Sequence, residues 1–270
     1  MKMKYAAYPY IIWLIVFMAI PMGLIIYFAL TDASGAFTIA NIAQTGRYMP
    51  VLIRSIWLAT ISTAVCLVLA YPLSYMLSRM QGLTSRTLLT LVMLPMWMNF
   101  LLRTYAWMTL LEKNGIINQI LGVFGIEPLT MINTQGAVIM GMVYNYIPFM
   151  ILPLHSVMVK IGKDVIEAAQ DLGASPASVF SQVILPLSMP GVRTGITMVF
   201  VPAVSTFVIS QMLGGGTNQL IGDIIELQFL GNAYNPSLGS AISMVLMVLV
   251  LLCMSLTGFF DDDDVEDRLI

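Results

Sequence analysis

Charge is scarce in this chain: Asp, Glu, Lys and Arg together make up 10% of its 270 residues, where a soluble domain carries about a quarter. That scarcity, with 59% hydrophobic residues and a mean hydropathy of +0.88, excludes a soluble globular domain and places the chain in a bilayer. Histidine is scarcer still. His155 is the single one, so no paired-histidine metal site exists, and its place near the end of an apolar run reads as interfacial. No acidic residue falls deep within an apolar run, which removes both the intramembrane base of a membrane enzyme and the proton carrier of a proton-driven transporter. A phosphate-cradling Gly-x-x-x-x-Gly-Lys-Ser/Thr loop is missing too. Gly214, Gly215 and Gly216 are followed by Thr217 and Asn218, and no lysine occurs after them. The chain is therefore expected not to hydrolyse ATP, and it is assigned no catalytic residue, no metal ligand and no cofactor of its own. Cys66 and Cys253 both lie in apolar runs and read as small buried hydrophobes, silent on redox compartment.

What the chain has in quantity is long apolar runs. Crossing a hydrocarbon core of ~30 Å takes about 20 helical residues, and runs of that length stand at 11–30, 56–77, 87–110, 136–158, 194–213 and 238–260. They predict an all-α integral membrane protein with six transmembrane helices in one domain, 1–270. Lys2 and Lys4 precede the first run as in a signal peptide. Its apolar stretch, 10–30, is longer than the roughly 7 to 15 residues of a signal core, so an uncleaved helix is expected.

An even number of spans puts both termini on one side. Lys2, Lys4, Arg79, Arg86, Lys160, Lys163, Arg193 and Arg268 fall on that side, against Arg47, Arg54, Arg103 and Lys113 on or near the other. The positive-inside rule then makes the termini cytoplasmic. The four aspartates at 261–264, with Glu266 and Asp267, read as a solvated stop after the sixth helix, since no glycine turn or spaced ligand pattern accompanies them. Tyr5, Tyr8, Tyr10 and Trp13 flank the first span, and Phe259 and Phe260 close the last, as rings do at headgroup level. Pro21, Pro72, Pro95, Pro148, Pro153 and Pro202 lie inside spans, where each removes a backbone donor; they read as packing kinks or as kinks lining a substrate pathway.

Between the fourth and fifth runs lies a polar interlude, 160–187. Ile161, Val165, Ala168 or Ala169, and Leu172 recur at helical spacing, and Asp164 with Glu167 three residues on forms an Asp version of a capping box. Gly173 stands where a helix end wants a left-handed residue. Ser175 and Pro176 then supply an N-cap and a first-turn proline for a second helix carrying Val179, Phe180, Val183 and Ile184. Two short helices meeting at a corner are predicted on the cytoplasmic face. Their apolar stripe needs a surface to dock on, either another protein or this chain's own membrane domain with Glu167 as a mere cap.

The run Glu167-Ala168-Ala169, then Gly173, then Val183-x-Leu185-Pro186 resembles the EAA loop of permease subunits of binding-protein-dependent ABC importers. Val183, where that family usually carries Ile, is a conservative departure. A longer resemblance, to the spermidine/putrescine permease subunits, runs through Leu94-Pro-Met-Trp97 with Asn99, Arg103-Thr-Tyr-Ala-Trp107, Val143-Tyr144, Pro148-Phe-Met, residues 167–191, Leu213-Gly-Gly, and 220–229. The N-terminal span and the acidic tail match loosely.

The resemblance implies a type I ABC importer permease in the bacterial inner membrane. Its partners would be a second and usually non-identical permease subunit, two copies of an ATP-binding subunit that hold the ATP and Mg, an external substrate-binding protein and the lipid bilayer, with no nucleic acid. It also implies that the elbow seats in a groove of the ATPase, which makes Glu167, Ala168, Ala169 and Gly173 coupling residues, with Leu185 and Pro186 supporting the return to the membrane. Spermidine or putrescine is the implied cargo; ferric iron, sulfate or an opine-like compound are alternatives within the class, and a secondary carrier or channel is the alternative outside it.

Extended ammonium chains are held by carboxylates and aromatic faces. Trp97, Asn99, Tyr144, Asn145 and Tyr146 offer such surfaces at membrane depth, while Asp223 and Glu226 stand on an outer segment with Glu112 and Glu127. Each of these has a plainer reading, as packing aromatics and as the acidic outer loops of any inserted permease. Arg103 is expected near the outer end of the third span, snorkelling to the interface or serving the gate. Gly214, Gly215 and Gly216 read as a hinge or a flexible loop.

Overall fold

Small residues decide where the helices of this protein meet. The computed structural model describes residues 8–32, 35–80, 82–231 and 233–256. The acidic run at 261–264, Glu266, Asp267, Phe259, Phe260, Tyr5, Lys2, Lys4 and Arg268 lie outside the described residues, as do the expectations placed on them. The described chain folds as α1 (Tyr8–Ala29), α2 (Ala40–Thr45), α3 (Met49–Arg79), α4 (Leu83–Trp97), α5 (Phe100–Leu111), α6 (Ile116–Val123), α7 (Gln135–Lys160), α8 (Lys163–Asp171), α9 (Pro176–Ser205), α10 (Val208–Gly214), α11 (Ile221–Leu230) and α12 (Pro236–Leu256).

Helix α3 buries Ser55, Ala59, Ser62, Cys66, Ala70 and Ser74 at steps of three or four residues, one narrow stripe along its length. In lipid, where there is no hydrophobic drive between helices, such a stripe lets two backbones approach closely. The partner is α7, which presents Met142, Val143, Met150, Ile151, Leu154 and Met158. Polar atoms on the stripe tie the pair: the Ser62 hydroxyl donates to the Met142 sulfur (3.3 Å) and the Ser74 hydroxyl to the Ile151 carbonyl (3.3 Å). Helix α9 packs on both, so α3, α7 and α9 form the core. Helices α1 and α12 pair beside it, and α1 is exposed on almost every face, as suits a helix hydrophobic all round.

Arginines pin both ends of α3. The Arg54 guanidinium donates to the Gln219 carbonyl, and the Arg79 guanidinium donates to the Ile161 carbonyl at 3.0 Å. These side chains start 25 residues apart, about 38 Å along a helix, so they mark opposite ends of the bundle. We call the Arg79 end inner and the Arg54 end outer, following the orientation expected from charge.

Among the described residues, five helices are long and apolar enough to cross a membrane: α1, the stretch Ala40–Arg79 containing α3, α7, α9 and α12. Two expected spans take a different form. The run 87–110 is not one straight helix: α4 stops at Trp97, and Leu83–Trp97 and Phe100–Val123 meet at a 90° bend. Asn99 is the reason. Its side chain accepts from the Leu101 and Leu102 amides at 2.8 and 3.4 Å, so it starts a new helix as an N-cap, and the apolar pattern across it hides this local competition. The run 194–213 is likewise divided. Helix α9 extends from Pro176 to Ser205, Thr206 is extended (φ −64, ψ 145), and α10 begins at Val208.

Two prolines inside long helices, Pro21 and Pro186, are accommodated by the same device. Just before Pro21 the chain makes a π turn, Ile15–Ala19, with the Ile20 amide bonded to the Ile15 carbonyl. Just before Pro186 it makes another, Phe180–Ile184, with the Leu185 amide bonded to the Phe180 carbonyl. Slipping the ladder by one residue makes room for a ring that would clash with a regular turn.

Candidate functional site

Two places bring sequence-singled residues together. At the inner end, α7 stops at Lys160, and Ile161 is buried under the Arg79 contact. Helix α8 then begins with Gly162, not Asp164, as its N-cap, and no side chain caps it. The expected capping box is therefore absent: Asp164 already lies in the first turn, where its charge favours the helix dipole, and Glu167 is exposed and does not reach back.

The C-terminal end of α8 is a Schellman motif. Gly173 takes φ +84, its amide bonds to the Gln170 carbonyl at 2.8 Å, and the Ala174 amide bonds to the Ala169 carbonyl at 3.1 Å. Those two bonds satisfy carbonyls that a helix end leaves open, and they need a left-handed residue at position 173. Ser175 then accepts from the Ser178 amide (3.2 Å) and Pro176 occupies the first turn. The second arm is longer than expected. Instead of a short helix, Pro176–Ser205 is a single 30-residue helix, about 45 Å long, that runs from the corner through the core.

No residue of α8 is buried. Glu167, Ala168 and Gly173 are exposed and Ala169 half-buried, Leu172 is 89% exposed, and Val165, Phe180 and Leu185 are 42%, 41% and 38% exposed. Pro186 is exposed as well. Of the apolar stripe, Ile161, Val179 and Ile184 are buried within this chain, while Val165, Leu172 and part of Phe180 are left uncovered by its membrane domain. The corner is joined to the core through α9: Phe180 packs edge-on against Tyr71 at 5.7 Å, and the Tyr71 and Ser188 hydroxyls share a 2.8 Å hydrogen bond.

At the outer end, α10 and α11 enclose a cavity of about 210 Å³ lined by Ser210, Gln211, Gly216, Gln219, Asp223 and Leu227. Gly222 lets α11 approach: a Cβ there would sit 2.5 Å from the Ser205 and Thr206 carbonyls. Asp223 is 2% exposed. Its Oδ2 accepts from the Leu220 amide at 2.6 Å, while Oδ1 has no hydrogen-bond partner among the described residues. The Ser210 hydroxyl beside it sends its proton to the Phe207 carbonyl (2.9 Å). Glu226, one turn on, accepts from the Gln211 amide at 2.9 Å. Burial raises the Asp223 pKa above its ordinary value, opposed by the Leu220 amide and the Ser210 hydroxyl, with Glu226 raising it and Arg54 lowering it.

Glu226 and the remaining expected pathway residues do not line this cavity. Trp97 is 77% exposed at the end of α4, and Asn99 is the N-cap of α5. Tyr144 meets Trp107 edge-on at 5.3 Å. Asn145 is buried, its amide donating to Gly141 (2.8 Å) and its oxygen without a partner among the described residues. The Tyr146 hydroxyl donates to the Pro202 carbonyl (3.4 Å), near the end of α9, where helical partners run out. Arg103 does not snorkel: it is 8% exposed, its guanidinium stands 6.0 Å from the Phe100 ring, and Nε and Nη1 are buried without partners among the described residues. Its helix turns at the bend after α4, packing against α10, and that carries it away from the interface a straight span would have reached. Sequence reasoning missed Gln211, Ser210, Gln219 and Arg54 as neighbours of Asp223. Their spacing in the chain carries no signal of that meeting.

Comparison with known proteins agrees with this architecture. Residues 41–262 match the family described as binding-protein-dependent transport system inner membrane component. The chain is 39% identical over 250 residues to the spermidine/putrescine transport system permease protein PotB of Haemophilus influenzae, covering 89% of this chain and 87% of the relative. It is 37% identical over 248 residues to PotB of Escherichia coli K12, covering 88% and 90%. Among solved structures, a chain of a bacterial ABC transporter involved in the import of the acidic polysaccharide alginate superposes with a TM-score of 0.76 at 17% identity, over 97% of this chain and 96% of that one. An all-helical multi-pass membrane protein with this fold is a type I ABC importer permease. The chain belongs to the family of binding-protein-dependent transport system inner membrane components, a membrane component and not an enzyme.

Proposed function

We propose that this protein is the permease subunit of an ATP-driven importer of polyamines, spermidine or putrescine, and forms the translocation path with a second, non-identical permease subunit. The identity of 37–39% to the two PotB proteins over almost the whole of each chain is the observation that carries the cargo reading. The alginate importer has the same fold at 17% identity, so the fold alone does not choose the cargo.

The exposed corner carries the coupling reading. Helix α8, with Glu167, Ala168, Ala169 and Gly173, seats on an ATP-binding subunit, one of two copies, which holds ATP and Mg and supplies the free energy. Leu185 and Pro186 stiffen the return to the membrane. Because the second arm of the corner is continuous with α9, a displacement of the corner is carried through the core as a rigid-body movement of α9 against α3 and α7 rather than dissipated in a loop. An external binding protein delivers the cargo at the outer end, both termini face the cytoplasm, and Trp97, Asn99, Tyr144, Asn145, Tyr146, Asp223 and Glu226 contribute to the path. The test is ATP-dependent uptake of labelled spermidine and putrescine by the complex reconstituted in vesicles. Stimulation by either supports the reading, and accumulation of neither refutes it.

A further inference from the structure

Helix α6 carries its polar and apolar faces the wrong way round for a helix surrounded by water. Asn118 points into the protein at 4% exposure. Its amide donates to the Glu112 and Leu129 carbonyls at 3.2 and 2.9 Å, and its oxygen accepts from the Leu129 amide at 2.9 Å. The inward polar group is therefore satisfied within the chain. Ile116, Ile120, Val123 and Phe124 are exposed, the last two at 84% and 76%. At about 100° per residue these four fall within one arc of roughly 100°, and Asn118 lies opposite it. Ile117 and Leu121 are half-buried between the two faces.

What covers the apolar arc follows from where α6 lies. Helix α4 starts at the inner end, where the Ser85 hydroxyl donates to the Leu77 carbonyl at 3.0 Å. Helix α7 starts at the outer end, where the Asn133 amide just before it donates to the Leu213 carbonyl at 2.9 Å. The chain between them completes the crossing. Within it, Phe100–Val123 turns 90° from α4, so this stretch runs along the bilayer and not across it, with α6 as its outer part. On α5, the other part, Leu101, Leu102 and Tyr105 are exposed too, and the apolar surface of α6 continues theirs.

Charge brackets the arc without entering it. Glu112 and Lys113 precede α6 and Glu127 follows it, all exposed, and Gln119 is the one exposed polar side chain on the helix itself. Charges at headgroup level with apolar side chains beneath them are the arrangement of a helix lying in a membrane interface. No Lys or Arg stands on α6, so its attachment is apolar insertion and not attraction to anionic lipid. A partner that comes and goes would leave Val123 and Phe124 in water between encounters. A bilayer covers them throughout.

We propose that α6 is an interfacial anchor, lying in the bilayer plane at the outer end with Ile116, Ile120, Val123 and Phe124 seated at the boundary between headgroups and acyl chains. It steadies α5 beyond the break at Asn99. The anchor is independent of the cargo, and uptake of any solute leaves it standing or falling on its own test.

That test is photo-crosslinking of the intact permease–ATPase complex in phosphatidylcholine vesicles, with and without added phosphatidylglycerol, read by intact-protein mass spectrometry. A benzophenone amino acid is placed at Ile120 or Phe124, at Phe17 on α1 as the lipid-exposed reference, and at Leu172 on the corner as an exposed residue outside every span. Phospholipid adducts at Ile120 and Phe124 are expected in a yield comparable to Phe17 and severalfold above Leu172. They should be equal in the two lipid mixtures and unchanged by adding the external binding protein. Absence of phospholipid adducts at Ile120 and Phe124 where Phe17 gives them overturns the anchor. So does capture of the binding protein or of a companion permease subunit in their place, or a yield that requires phosphatidylglycerol.

Discussion

Replacing Gly173 isolates backbone strain at the corner. At φ +84 nothing stands within 4 Å of where a Cβ would be built, so no substitution there clashes with a neighbour, and the whole effect comes from the left-handed conformation. A non-glycine residue in that region costs of order 1–3 kcal/mol, least for Asn and most for a β-branched side chain. At about 1.4 kcal/mol per tenfold, Gly173→Val depopulates the bent corner by a factor of roughly ten to a hundred. Membrane insertion is untouched, because the position is exposed and lies outside every span. The series Gly173→Asn, Gly173→Ala, Gly173→Val is therefore expected to retain progressively less co-purifying ATPase at constant permease level, read by quantitative immunoblotting of detergent-extracted complexes. Equal loss for Asn and Val, or full ATPase recovery with Val, refutes the strain argument.

Glu167→Lys reverses an exposed charge on the face proposed to meet the ATPase and is expected to abolish ATP-driven uptake at normal permease abundance; intact uptake counts against the docking assignment. Asn99→Ala removes the cap of α5, worth about 0.5–2 kcal/mol, and lowers the melting temperature of the complex, whereas Asn99→Ser preserves the cap; an Asn99→Ser variant as impaired as Asn99→Ala would point to the side chain serving the path instead. Lowering pH protonates Asp223, whose pKa burial raises. With Glu226 and Arg54 as its charged neighbours, polyamine uptake, for which Asp223 is a proposed path residue, is expected to decline at a higher pH than an ordinary aspartate would dictate, and that part of the decline should disappear in Asp223→Asn. A titration midpoint at the usual carboxylate value would contradict this.

How far the sequence speaks depends on whether the signal is local. Gly173, Ser175 and Pro176 announce a helix stop and a helix start through their own backbone preferences, and the corner is built from them as read. At the start of α8 an Asp and a Glu three apart match a capping box in sequence, while the chain spends Gly162 on the cap and Asp164 in the first turn. Apolar runs reveal membrane residence but not continuity. Asn99 breaks the third run because its side chain outcompetes the next turn for two amides, and hydropathy averages over that single residue. The outer cavity was the least legible feature. Asp223 and Glu226 were singled out by charge, but Arg54 stands 169 positions before Asp223, and Gln211 reaches Glu226 only because Gly215 and Gly216, both with left-handed backbone, turn the chain after α10.

The coupling claim is tested most directly by photo-crosslinking from single positions in the intact complex. With a benzophenone amino acid at Leu172, 89% exposed on the corner, or at Phe37, 76% exposed in the loop after α1, adducts to the ATP-binding subunit are expected from Leu172 and not from Phe37. A Leu172 probe that captures no ATPase, or a Phe37 probe that captures it equally well, would contradict the account.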